Sequence, residues 1–118
     1  MVDPIVPEWT FTFSEEHWVP SRIPEAEPNL VAAVETFAAS FRSNARSVEL
    51  TLEAWQASEK DGSEGGVNVT TAAIRRVGDG LAEFRDKYKQ FDNVRIPVEE
   101  VDGMLRRLVL AVRSRHAS

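Results

Sequence analysis

Prolines set the first limit on what this chain can fold into. Five of the six, Pro4, Pro7, Pro20, Pro24 and Pro28, fall in the first 28 residues. Each fixes its own φ and pushes its predecessor toward extended conformations, so helix is disfavoured there and left to the remaining chain. Within "EWTFTFSEEHW", residues 8 to 18, Trp9, Phe11 and Phe13 alternate with Glu8, Thr10 and Thr12. A period of two is the signature of a strand with one buried face. The "SEEH" that follows can turn the chain so that Trp18 and Val19 return beside it, although no Asn-Gly or Asp-Gly pair marks a tight hairpin there.

After Pro28 the period changes. Leu30, Val34, Phe37, Phe41, Ala45, Val48, Leu52 and Trp55 recur every three or four residues, which predicts one long amphipathic helix over 29–58 with Asn29 as its N-cap. Glycines in "EKDGSEGG", residues 59 to 66, end it. Ile74, Val77, Leu81, Phe84, Tyr88 and Phe91 continue the same spacing and predict a second helix over 68–91. Pro97 suits a first helical position, and Val98, Val101, Leu105, Leu108 and Val112 predict a third over 98–115. The expected fold is mainly α: an up-down-up three-helix bundle over 29–118 with two long helices, preceded over 1–28 by an extended aromatic arm containing a short strand.

Composition narrows the classes of function. A chain of 118 residues can bury a core without cross-links, and with no cysteine it has neither disulfides nor thiolate chemistry. Residues 1–66 carry 12 acids against 4 bases and residues 67–118 carry 7 against 10. The acidic total argues against nucleic acid as the main partner, and the polarity suits either attraction between the two halves or pairing with a complementary protein. Without a basic, apolar leader or a spanning stretch, the expectation is a soluble cytoplasmic chain, with export that needs no cleaved signal left open.

No pattern in the sequence advertises chemistry. His17 and His116 stand at opposite ends with no metal-ligand spacing, so neither a metal nor a cofactor is expected. Glu99, Glu100 and Asp102 belong to the first turns of the third helix, where the dipole favours acids. The same electrostatics accounts for Arg106, Arg107, Arg113 and Arg115 near its end, the alternative being a basic helix for nucleic acid or a membrane surface. "GDG", residues 78 to 80, lacks dinucleotide-loop spacing and reads as a close helix contact, a kink or a partner's footprint in the second helix.

Over residues 30 to 92, Trp55, the glycine-rich connection after it and "YKQFD" resemble the helical-hairpin substrates of type VII secretion, the family named for a Trp-x-Gly turn. That resemblance implies a hairpin pairing with a second hairpin and a Tyr-x-x-x-Asp export pattern at Tyr88 and Asp92. The reading that results is a non-catalytic protein-protein interaction module, secretion-associated, immunity-like or an assembly subunit. Its partner is another protein or a second copy, and Trp9, Phe11, Phe13, Trp18 and Trp55 are the candidate contact residues.

Overall fold

The computed structural model describes residues 7–41, 44–60 and 65–117. Pro4, residues 61–64 of the glycine-rich loop and the His116 side chain lie outside the described residues. In chain order the elements are β1 (Glu8–Ser14), β2 (His17–Ile23), α1 (Pro28–Ala39), α2 (Ala45–Ala57), β3 (Gly66–Asn68), β4 (Ala72–Gly78), β5 (Leu81–Asp86), β6 (Val94–Pro97) and α3 (Val98–Ala117). The fold is therefore α+β, with a β1-β2 hairpin and an antiparallel β3-β4-β5-β6 sheet. This corrects the expected mainly α, up-down-up helical bundle.

The largest difference lies over 68–91, where strands replace the expected helix. Ile74 and Phe84, assigned to one helical face, are instead directly opposed partners across β4 and β5. Asp79 and Gly80 form the two-residue turn between them, with φ of +55° and +72°. Glycine and aspartate tolerate that left-handed region, and such a turn matches the twist of the strands it joins. Inside a helix Gly78 and Gly80 would cost about 1 kcal/mol each. Val67, Ala72, Ile74, Ala82, Phe84 and Ile96 are buried, forming the sheet's share of the core.

The expected helix over 29–58 is two helices. Its apolar residues are nonetheless buried, Leu30, Val34, Phe37, Phe41, Val48 and Trp55 among them. Asn44 restarts the helix by accepting the Ser47 N–H at 3.0 Å, an N-cap. Thr71 satisfies the end of α1 by donating its hydroxyl to Thr36 O at 2.8 Å, so at their 3.0 Å contact the Ser40 hydroxyl must donate to Thr71 Oγ1. Pro28 takes the first turn of α1. Asn29, expected as its N-cap, instead exchanges two hydrogen bonds with the Asp92 backbone at 2.8 and 2.9 Å.

α3 follows the expected third helix closely and organises the rest. It packs on β1, α2, β5 and β6, while α1 lies against β2, β4 and β6. Its start is fixed by the β4-β5 turn, whose Gly80 carbonyl accepts the Val98 N–H at 2.8 Å. Among the described residues, no helix is long and apolar enough to cross a membrane.

Candidate functional site: the outer face of α2 and α3

α2 and α3 run antiparallel, as two contacts near their opposite ends demonstrate. Arg113 Nε donates to Glu49 Oε1 at 2.7 Å near the start of α2, and Trp55 Nε1 donates to Asp102 Oδ1 at 2.6 Å near its end. Trp55 is fully buried, its ring stacked beneath the Arg76 guanidinium at 4.1 Å. Arg76 itself donates to Trp55 O at 2.7 Å and to Ser58 Oγ at 3.1 Å, locking the end of α2 onto β4. Trp55 is thus the anchor beneath the helix pair.

Above that anchor the two helices leave a groove of about 390 Å³, lined by Glu49, Leu52, Glu53, Arg106, Val109, Leu110 and Arg113. One wall, from α2, is acidic; the other, from α3, is basic. Hydrogen bonding by Arg113 is the main reason the Glu49 carboxyl is held below its ordinary value, with Arg46, 3.6 Å away, adding to it. Leu110 is 57% exposed on this face, and Leu50, on the outer side of α2, is 48% exposed. Burying the exposed half of such leucines is worth about 1 kcal/mol each, which makes them contact material.

Gly103 belongs to the same side of α3, since Gly103, Arg106, Leu110 and Arg113 recur at helical spacing. A methyl group built at Gly103 would meet no atom within 4 Å. Nothing among the described residues therefore demands a glycine there, and it costs about 1 kcal/mol of helix stability relative to alanine.

The N-terminal aromatic residues form a second group, on the other flank of α3. Trp9 and Trp18 are buried while Phe11 and Phe13 are partly buried against the core. Trp9 Nε1 donates to Glu100 Oε2 at 2.8 Å, and Arg22 Nη1 donates to the same oxygen at 2.9 Å. Phe13 meets Trp18 edge-on at 5.0 Å and lies under the Arg115 guanidinium at 3.6 Å. The five candidate contact residues are thus split between two sites, and the three tryptophans are core.

Tyr88, 64% exposed, and Asp92, also exposed, lie in the β5-β6 loop. Asp92 is tied down through its backbone by Asn29, not through its carboxylate. Nearby, burial works against the charged form of Asp86. The backbone N–H groups of Gln90, Tyr88, Phe91 and Lys89 outweigh it and hold the carboxyl below its ordinary value.

Glu100, Arg76, Leu110 and Gly103 are the residues sequence reasoning missed. Glu100 had been accounted for by the helix dipole, yet it is an internal acceptor for two donors. Of the basic residues near the end of α3, Arg107 pairs with Glu8 at 2.9 Å, Arg113 with Glu49, and Arg115 covers Phe13. No group of three or more His, Cys, Asp or Glu side chains able to hold a metal ion occurs among the described residues. No protein-family model, curated protein or solved structure matches the chain.

Proposed function

We propose that this chain is a non-catalytic protein-binding module and that the outer face of α2 and α3 is its contact surface. One observation carries the reading: two exposed leucines lie beside a groove with an acidic wall and a basic wall. An apolar centre with a charged rim is the anatomy of a protein interface, where burial supplies affinity and charges set register and partner choice. A secretion-associated protein, an immunity-like inhibitor and an assembly subunit all work by holding another protein. The alternative, nucleic-acid or membrane-surface binding through the basic end of α3, is less favoured because Arg107, Arg113 and Arg115 are already engaged within the chain.

The test places a photoreactive phenylalanine analogue at Leu110, and in a control at Val19, in cells that naturally make the protein. Irradiation should yield a protein adduct from position 110 and little from position 19. Equal labelling at both positions, or no adduct at 110, would overturn the proposal.

A further inference from the structure

Resting on that reading of the α2/α3 face, we infer that its occupant is a second copy of this chain, docked about a two-fold axis that runs along the groove. A symmetric interface needs a surface complementary to itself. The placement of charge provides this for one axis and not for the other. Rotation about the groove direction lays α2 of one copy over α3 of the other and preserves each residue's level along the groove. Rotation about the perpendicular in-plane axis lays α2 on α2, bringing Glu49 and Glu53 against their own kind. Like charges so opposed repel, which selects the first arrangement.

The levels agree. The Glu49 to Arg113 ion pair marks one common level on the two helices. Counting from it at 1.5 Å per residue, Leu50 and Leu110 fall within about 3 Å of each other along the axis, and Glu53 and Arg106 within about 5 Å. In the dimer each exposed leucine therefore meets the other kind across the interface, and Glu53 of one copy faces Arg106 of the other. Neither Glu53 nor Arg106 makes an ion pair among the described residues.

Gly103 supplies an independent reason. Its missing side chain makes room for no other side chain or neighbouring element among the described residues, yet it lies on the docking side of α3. Glycine at a helix interface lets a second helix approach more closely than any other residue permits. The interface is of modest size: α2 is about 20 Å long and the pair about 20 Å wide. That corresponds to on the order of 1,000 Å² in total, near the lower bound of stable interfaces and consistent with micromolar affinity.

Sedimentation velocity of the full chain from about 1 μM to about 1 mM should show a reversible monomer-dimer equilibrium. Glu53→Arg and Arg106→Glu should each weaken it about tenfold or more, because every substitution acts twice in a symmetric dimer. Mixed together, the two single variants should restore association as a heterodimer, since each reversed charge then faces its opposite. Gly103→Leu should also weaken the dimer, while circular dichroism and thermal melting of each variant verify that the monomer remains folded. A chain that stays monomeric throughout, a dimer indifferent to the reversals, or variants that fail to recover on mixing would overturn the inference. The position-110 adduct separates the two proposals. An adduct with twice the chain's mass supports the second copy, an adduct with a different protein overturns the second copy but leaves the binding module standing, and no adduct overturns both.

Discussion

Trp9 and Trp55 meet α3 through similar groups arranged to different electrostatic ends. Each donates its indole N–H to a carboxylate from the first turns of that helix, Glu100 for one and Asp102 for the other. The two acids are two residues apart, about 200° around the helix, so they serve opposite flanks. Each tryptophan also has an arginine over its ring, Arg22 at 5.8 Å and Arg76 at 4.1 Å. The arginines then differ. Arg22 neutralises Glu100 directly at 2.9 Å, whereas Arg76 spends its donors on a main-chain carbonyl and a hydroxyl. One cluster is an ion pair with a buried acid and a partly exposed arginine; the other is a buried cation solvated by neutral oxygens and an aromatic face.

This difference predicts different consequences when a member is removed. The largest effect should come from Glu100→Ala, which strands the buried Trp9 N–H and takes from Arg22 its counter-ion: about 3 kcal/mol, the lower end of the loss on breaking a buried pair, since Arg22 is partly exposed and keeps its bond to Pro24 O. Urea unfolding of the full chain measures it. Arg76→Met should cost less, about 1–3 kcal/mol, because the acceptors left behind are neutral. A loss at Arg76 equal to that at Glu100 would erase the distinction. Asp102→Ala should cost about 1 kcal/mol, since its bond to Trp55 is only partly buried.

A fourth and smallest effect lies outside both clusters and sets the baseline for them. Hydrogen bonds from Arg113 to Glu49 and from Arg85, then Arg95, to Glu83 hold these carboxyls below their ordinary values. A lowered folded-state value gives stability that is present above the unfolded value, about 4.3 for Glu. It is lost as pH falls through the folded one. The unfolding midpoint should therefore fall gently below about pH 4, and Glu83→Gln should flatten that slope. An unchanged slope would assign the acid limb to other groups.

Much of the burial was legible in the sequence, while half of the architecture was not. The spacing of Leu30, Val34, Phe37, Val48 and Trp55 correctly marked a buried stripe, because packing selects apolar residues whether or not the helix is continuous. It could not report the break before Asn44, where Thr71, from elsewhere in the chain, donates to a carbonyl at the end of α1. Over 68–91 the three-and-four spacing coincided with a strand-turn-strand. The competing signals were local: β-branched Val67, Val69, Thr70, Thr71, Ile74 and Val77, and Asp79-Gly80, an effective two-residue hairpin turn.

The candidate site was partly readable as well. Leu52, Arg106 and Arg113 are evident on amphipathic helices, but Glu53 facing Arg106 across a groove requires knowing that α2 lies beside α3. Gly103 becomes informative only once the space around it is known.

The two hairpins differ in how far they depend on the rest of the chain. Asp79-Gly80 favours the β4-β5 turn by itself, whereas Glu15 and Glu16 are held at φ of +50° and +67°, a conformation that residues of their type adopt reluctantly. The β1-β2 hairpin must be supported by what it packs against, and the acceptor for Trp9 lies 91 residues further along the chain. During synthesis, at about 5–20 residues per second, Trp9 is thus made several seconds before the helix that accepts its N–H. For that interval the Trp9 face of the hairpin lacks the helix that covers it, although α1 is already available to pack on β2.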